Sequence, residues 1–210
     1  MSTRARTYGG ATSGERRAKR QAALMDAALD LIEQSGIAGL TVRGVCTAAR
    51  LNDRYFYESF RTTDELLLAI FDAQIVLAST AMVAAINDSA PDPVVRARAA
   101  IGTGLRHLVA DPRRGPLLIE SQATEGLRAR RRDLIKSLAQ IMSDQGRALL
   151  AGLAADAVAP DLDLAALTLV AGGFDLVTGW LRGELDISRE HLEDFLVALV
   201  TARRVSPGTH

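Results

Sequence analysis

One short segment of the chain carries polar side chains at a spacing that suits contact with nucleic acid. Arg54, Tyr57 and Glu58 follow the i, i+3, i+4 spacing that places side chains on one helix face, and Tyr55 lies at the edge of that face. A solvent-facing surface with two tyrosines and an arginine is suited to DNA, because each can reach a phosphate or a base edge from a helix in the major groove. The segment therefore predicts a DNA-reading helix.

The charge of the chain supports this location. The whole sequence has 25 basic and 25 acidic residues, and thus no net charge. Residues 1–62 contain ten Lys and Arg against six Asp and Glu, which gives +4 there and −4 in the remainder. This asymmetry is expected if the first part of the chain meets phosphate. A basic disordered tail would give the same charges, so charge alone leaves both interpretations open.

Residues that could perform catalysis are scattered. The three histidines, His107, His191 and His210, show no metal-binding spacing, and the sequence has neither a glycine-rich phosphate loop nor a nucleophile elbow. This pattern disfavours an enzyme and predicts no cofactor and no bound metal. The single cysteine, Cys46, excludes an intrachain disulfide and fits a reducing compartment. No uncharged apolar run approaches the roughly 18 residues of a membrane span. We therefore expect a cytoplasmic protein without a membrane partner.

The elements that must position the DNA-contacting residues are helices. Proline is absent from the first 90 residues, and no stretch alternates as a half-buried strand does. The sequence therefore predicts an all-α protein with about nine helices. Apolar spacing, capping residues and breaks place these helices at about 15–35, 41–50, 52–60, 62–87, 93–110, 116–124, 127–154, 162–184 and 188–204.

The second and third predicted helices have about two turns each and cannot be stable alone. They need the preceding helix as a third wall, with Val45, Leu51, Phe56 and Phe60 filling the space between. Two short helices joined by a tight turn and packed on a longer one form a helix-turn-helix, which agrees with the DNA-reading role.

At this point the sequence resembles the tetracycline-repressor (TetR) family of one-component regulators over about residues 15–70. The family's motifs stand here without insertion or deletion, as Thr41-Val42-Arg43, Ala48-Ala49, Tyr57-Glu58-Ser59-Phe60 and Thr63-Asp64-Glu65-Leu66. Three positions depart from the family pattern. Arg50 replaces a turn glycine, Asp53 replaces a lysine early in the recognition helix, and Thr63 replaces a lysine at the start of the fourth helix.

The resemblance implies a role for each matching residue. Thr41 and Arg43 would contact phosphates, as would Tyr57. Asn52, Arg54 and Tyr55 would point at bases, and Thr63 would touch the DNA backbone. Arg4 and Arg6, in a basic arm, could enter a minor groove or belong to a disordered segment.

The resemblance also implies the domain organisation. A flexible basic arm would cover 1–14, the helix-turn-helix domain 15–62, a ligand-binding and dimerisation domain 63–204, and a tail 205–210. A head of this kind recognises one half-site, so two copies are expected to act as a homodimer. Small residues among large apolar ones in the last two helices predict the dimer interface, with Leu169, Gly172, Gly173, Leu176, Phe195 and Leu199. A fully intramolecular core would show the same residues.

The region between the head and the dimer helices would enclose a small-molecule inducer. Its candidate contacts are apolar residues with a few polar ones among them: Leu105, His107, Leu108, Leu118, Ile119, Gln122, Leu138, Phe174 and Trp180. Ligand binding would shift the fourth helix and release a repressor from its operator. Two other interpretations stay open, a helical protein-binding adaptor and a family member that has lost DNA binding.

Overall fold

A computed structural model describes residues 12–150 and 159–201, and within these ranges the chain forms nine α-helices, one short 3₁₀ helix and no strand. The predicted all-α class is thereby confirmed. The helices are α1 (Ser13–Ser35), α2 (Val42–Ala49), α3 (Asp53–Tyr57), α4 (Thr63–Asn87), α5 (Pro93–Ala110), α6 (Arg114–Ile119), α7 (Glu125–Leu150), α8 (Ala159–Leu181) and α9 (Arg189–Thr201), with the 3₁₀ helix at Ile37–Gly39. The chain divides into two compact units between Ile70 and Phe71, within α4.

The first unit is a three-helix head closed by the start of α4. The inner stripe of α1 is buried, with Leu24 and Ala28 fully inaccessible, and it packs on α2 and α3. Phe56 and Phe60 are buried as predicted, whereas Leu51 is half-buried. The apolar residues of two short helices are thus covered by a long one, which supplies the stability that the short helices lack alone.

The first helix begins earlier than predicted because Thr12 caps it. The Thr12 hydroxyl accepts a hydrogen bond from the Glu15 N–H at 3.2 Å, and the Glu15 carboxylate accepts one from the Thr12 N–H at 2.6 Å. This reciprocal pair satisfies two donors that a helix start leaves without partners. Residues 13 and 14 are therefore helical and do not belong to a flexible arm. Residues 1–11, with Arg4 and Arg6, and residues 202–210 lie outside the described ranges.

Two other helices are shorter than predicted. Helix α3 ends at Tyr57 rather than near residue 60. The N–H groups of Ser59 and Phe60 both bond the Phe56 carbonyl, at 2.9 and 2.8 Å, and Phe60 lies in the core as predicted. Helix α6 covers Arg114–Ile119 rather than 116–124. Its C-terminal neighbours form turns that lead to Thr124, whose hydroxyl accepts from the Leu127 N–H at 3.2 Å at the start of α7.

The second unit is built on two helix pairs, α7 with α8 and α5 with α9. Gly102 of α5 leaves room for the Glu193 carboxylate of α9, since a Cβ there would lie 2.8 Å from Glu193 Oε1. Beside this contact Leu105, Leu192 and Leu196 form a buried cluster. The partly buried residues packed against it are Ile101, Leu176, Val177, Trp180 and Ile187.

Two helices are long and apolar enough to cross a membrane by length and composition, Thr63–Asn87 and Asp161–Leu181. Sequence alone did not predict these two candidate spans, because the prediction rested on uncharged apolar runs and each helix contains aspartate. Each helix nevertheless carries an aspartate in an ion pair with α7, Asp72 with Arg130 at 3.0 Å and Asp175 with Arg131 at 2.7 Å. Charged side chains are costly in hydrocarbon, so these ion pairs disfavour a hydrocarbon environment for either helix.

Candidate nucleic-acid interface

The start of α2 presents two of the predicted contact residues. Thr41 caps the helix, and its hydroxyl oxygen accepts from the Gly44 N–H at 3.1 Å. The hydroxyl hydrogen is still free to donate, since a threonine hydroxyl both donates and accepts. Arg43 is exposed and has no hydrogen-bond or ion-pair partner among the described residues. Both side chains are therefore available to an anion outside the protein.

The turn between α2 and α3 passes through Arg50, which has a left-handed backbone with φ 54° and ψ 42°. It is the one non-glycine residue with positive φ in the described ranges. The Arg50 N–H bonds the Thr47 carbonyl at 3.2 Å, and the Leu51 N–H bonds the Cys46 carbonyl at 2.9 Å. The turn thus keeps the geometry that glycine adopts easily, with a side chain in place of the glycine.

Helix α3 exposes the predicted polar face. Asn52 caps the helix through its side-chain oxygen, which accepts from the Arg54 N–H at 2.9 Å. The Arg54 side chain is 84% exposed, and Tyr57 and Tyr55 are 61% and 36% exposed. Phe56 is fully buried on the opposite side. The helix therefore separates an apolar inner face from an outer face that carries two phenols and a guanidinium.

A network between α1 and α3 holds this face in place, and sequence analysis did not predict it. The Glu58 carboxylate pairs with Arg20 of α1 at 3.2 Å and with Arg54 at 3.3 Å. The Arg20 guanidinium also lies 4.4 Å from the centre of the Tyr55 ring, a cation–π distance. Arg17 donates to the Glu58 carbonyl oxygen. Glu58 therefore orients its neighbours and offsets part of their charge.

Asp53 interacts with α2 as well as with its own helix. Burial raises the pKa of the Cys46 thiol to about 11, and a hydrogen bond to the Asp53 carboxylate adds to this effect. The acid also lies in the first turn of α3, where the helix dipole favours a negative charge. These two interactions account for an acid beside a predicted DNA surface.

Thr63 is half-buried at the first position of α4. Its neighbour Thr62 accepts from the Glu65 N–H at 3.1 Å. The Glu65 carboxylate accepts from the Arg61 N–H at 2.7 Å. In a regular capping box it would accept from the N–H of the next residue, Thr62. The seven predicted DNA contacts all lie in the first unit, on α2, the turn, α3 and the start of α4.

The described contacts do not gather the nine predicted ligand residues around one cavity. Leu105 and Trp180 belong to the buried cluster with α9, and Trp180 Nε1 donates to the Ile187 carbonyl at 3.0 Å. Phe174 lies under the Arg131 guanidinium, 5.7 Å from its ring centre. Leu118 is buried and Gln122 is exposed. The remaining four are half-buried: His107, Leu108, Ile119 and Leu138.

His107 has the most unusual surroundings of these residues. Arg114 Nη1 donates to the His107 carbonyl at 2.7 Å and lies 3.4 Å from His107 Nδ1. A guanidinium can only donate, so Nδ1 accepts and the proton of the neutral ring is on Nε2. Burial lowers the pKa of His107, and the charge of Arg114 lowers it further. His107 Nε2 is a buried donor without a hydrogen-bond partner in the described part of the chain.

The predicted dimer residues lie on α8 and α9, where four of the six are at least partly accessible and two contact the core of their own chain. Phe195 is 49% exposed and Leu199 is exposed, and a Cβ on Gly172 would meet no atom within 4 Å. Leu169 lines an open depression of about 400 Å³ together with Asp161, Leu164, Ala165 and Thr168. Gly173 lies against Leu196, with 3.5 Å from an added Cβ to that side chain. Leu176 packs on the buried cluster that contains Leu196, so Gly173 and Leu176 both contact the core of their own chain.

Part of the head is similar to one known family. Residues 24–70 match the family described as bacterial regulatory proteins, tetR family. No curated protein sequence matches the chain.

Solved structures with the same fold cover most of the chain. A TetR-like transcriptional regulator from Rhodococcus sp. RHA1 is 21% identical, with a TM-score of 0.65 over 87% of this chain and 94% of its own. FadR from Bacillus subtilis, in complex with stearoyl-CoA, is 19% identical. Its TM-score is 0.70, and the match covers 87% of this chain and 98% of FadR. AibR, in complex with isovaleryl coenzyme A and operator DNA, is 20% identical, with a TM-score of 0.62 over 86% and 97%.

Proposed function

We propose that this chain, a TetR-family transcriptional regulator by its residues 24–70 and its fold, is a homodimeric repressor that a small molecule releases from its operator. The observation that carries the proposal is the outer face of the head. Arg43, Arg54 and Tyr57 are exposed there, whereas the two phenylalanines of the same segment, Phe56 and Phe60, are buried. Guanidinium and phenol groups exposed together on one face are suited to the phosphates and base edges of DNA.

Phosphate contacts would come from both ends of the helix-turn-helix. Thr41, Arg43 and Tyr57 present donors to the DNA backbone, and Thr63 adds a weaker one at α4. Such contacts fix the register of the protein on the duplex and supply most of its affinity without reading sequence.

Base contacts would come from Asn52, Arg54 and Tyr55 at the start of α3. An arginine reads guanine and an asparagine reads adenine through paired hydrogen bonds in the major groove. The contact of Arg20 with Tyr55 and the pairing of Glu58 with Arg54 hold two of these side chains before DNA arrives. This reduces the entropy lost on binding.

Dimerisation would use the apolar surface of α8 and α9. Leu164 and Phe195 are 64% and 49% exposed, which is costly for a monomer in water. A second copy on this surface would cover them and bring two heads to successive half-sites.

The ligand would bind in the second unit, and acyl-CoA thioesters are the first class to test, since two structural neighbours were solved with such molecules. His107 is the residue that favours a polar contact there, because the N–H of its Nε2 is buried and has no partner among the described residues. A thioester or carboxylate oxygen would accept from it. Ligand binding can release DNA only through a difference in affinity between the two states of the protein.

The test is a selection of random duplexes with the purified full-length protein, followed by a challenge with acyl-CoA. We expect an enriched palindrome with half-sites one helical turn apart or a multiple of it. Stearoyl-CoA and isovaleryl-CoA would then lower the bound fraction, with free CoA as the control. If no sequence is enriched, the repressor proposal is wrong. Enrichment without release by either thioester would contradict only the ligand class.

A further inference from the structure

We propose that a depression between α1 and the α2–α3 turn binds a sugar–phosphate unit of the DNA backbone, beside the bases read by α3. The proposal rests on the proposed function. The depression has a volume of about 280 Å³ and is lined by Arg16, Lys19, Arg20, Ala23 and Leu51. It lies wholly within the first unit.

The lining combines an apolar floor with a cationic rim. Ala23, Leu51 and the aliphatic stems of the three basic residues form the floor, and none of the described residues that line the depression is an acid. Long basic side chains commonly cover apolar surface with their stems and keep their charges in water. A deoxyribose offers C–H groups to such a floor, and its phosphate offers oxygens to the rim. A nucleotide backbone unit therefore matches both parts.

The charges of the rim are not equally available. Arg20 already pairs with Glu58 at 3.2 Å and stacks on Tyr55. Lys19 is exposed and has no hydrogen-bond or ion-pair partner among the described residues. An ammonium group with three free donors is suited to phosphate. Lys19 is thus the residue whose charge the depression offers to a ligand.

The location follows from the contact of Arg20 with α3. Arg20 lines the depression, and its guanidinium lies 4.4 Å from the ring centre of Tyr55 on the recognition helix. The major groove that would receive α3 is about 12 Å wide, so its phosphates pass close to any side chain that flanks the helix. The depression is therefore placed to receive the backbone at the edge of that groove.

Arg50 supports the same assignment by an independent observation. It precedes Leu51 of the floor, it is exposed, and it has no hydrogen-bond or ion-pair partner for its guanidinium among the described residues. Its left-handed backbone has a cost that glycine would avoid. Strained conformations of this kind cluster at functional sites. Arg50 thus adds a second cation next to the depression.

The experiment compares Lys19→Gln with Lys136→Gln in the full-length protein, on a selected operator and on a scrambled duplex at several salt concentrations. Lys136 is exposed on α7 in the second unit and gives the same change of net charge. Lys19→Gln should weaken binding to both duplexes by the same factor, several-fold or more, and lower the salt slope by about one per protomer. Lys136→Gln should bind DNA with the affinity and salt slope of the wild type. Lys19→Arg, which keeps the positive charge, should also have the wild-type salt slope.

The proposal is overturned if Lys19→Gln and Lys136→Gln bind alike while the wild type binds its operator. It is also overturned if Lys19→Gln weakens only the operator, since that result would make Lys19 a reader of bases. Failure of the wild type to bind any selected duplex would overturn the proposed function, and this proposal with it.

Discussion

Arg50 has a left-handed backbone conformation, which glycine adopts at a lower cost than a residue with a side chain. The left-handed region costs a side-chain-bearing residue about 1–2 kcal/mol, and glycine avoids this cost. Glycine also loses more conformational entropy on folding, which offsets part of the gain. The balance favours glycine for stability, and the protein keeps arginine.

We therefore expect Arg50→Gly to raise the free energy of unfolding by about 1 kcal/mol. Urea unfolding at neutral pH measures this change. The control is Ala48→Gly, an exposed position within α2 with helical backbone, which should lower stability by about 0.5–1 kcal/mol. A loss of stability in Arg50→Gly would show that the side chain itself stabilises the turn.

The lowered pKa of His107 predicts that the free energy of unfolding depends on pH. Burial and Arg114 lower its pKa, so the unfolded chain takes up the proton at about pH 6.5, before the folded chain does. The stability that this group contributes is full above that pH and falls as the pH is lowered towards the folded-state pKa.

His107→Gln should therefore flatten the decline in unfolding free energy between about pH 7 and pH 5. Denaturant unfolding at several pH values measures this decline. His191→Gln changes an exposed histidine of α9 and should keep the wild-type slope. Equal slopes in the two variants would contradict the role given to His107.

The sequence could predict which side chains α3 exposes, because spacing of three and four residues fixes a helix face. It could not predict that Glu58 joins Arg20 to Arg54. Arg20 and Glu58 are 38 positions apart, and only the crossing of α1 over α3 brings them to 3.2 Å. Contacts of this kind depend on tertiary packing, which local periodicity does not contain.

At the scale of the element, the helix boundaries follow their caps. Thr41, Asn52 and Thr12 start three helices through their side-chain oxygens. Apolar periodicity located these helices but not their ends. The Thr12 cap extends α1 by two residues, whereas α3 ends at Tyr57 and α6 at Ile119 in turns that the periodicity did not predict.

Thr41 has two roles that substitution can separate. Thr41→Ala removes both the cap of α2 and the proposed phosphate donor, so it should cost about 1 kcal/mol of stability and weaken DNA binding. Thr41→Asp keeps a capping oxygen but places a negative charge beside phosphate. It should retain near wild-type stability and lose DNA binding by at least about tenfold.

Thermal unfolding and operator titration of the two variants measure these changes. If Thr41→Asp binds DNA as tightly as the wild type, the phosphate role of Thr41 is wrong. If Thr41→Ala is as stable as the wild type, the cap contributes nothing.

For the whole molecule, the sequence predicted the class and the approximate helix count, because composition and periodicity decide both. It did not resolve which apolar residues face the core and which face a partner. Leu176 and Phe195 have similar side chains and lie on the two helices assigned to the dimer, yet one packs on Leu105 and its cluster and the other is half-exposed. That difference depends on the rotation of each helix about its axis.

The exposed apolar residues of α8 and α9 predict that the protein forms a dimer through these helices. Phe195→Asp should convert a dimer into a monomer, because an uncompensated charge within an apolar interface is costly. Analytical ultracentrifugation measures the mass. Val94→Asp, at an equally exposed apolar position on α5, should leave the dimer intact. A Phe195→Asp protein that stays dimeric would place the interface elsewhere.

The most direct test of the central claim is the affinity of the full-length protein for its selected operator at two salt concentrations, beside the double variant Arg43→Ala, Tyr57→Ala. Both side chains are exposed, so the variant should fold, and thermal unfolding checks that it does. We predict that the wild type binds, that its affinity falls steeply with salt, and that the variant loses specific binding. A folded variant that retains wild-type affinity would contradict the claim that this helix-turn-helix binds DNA.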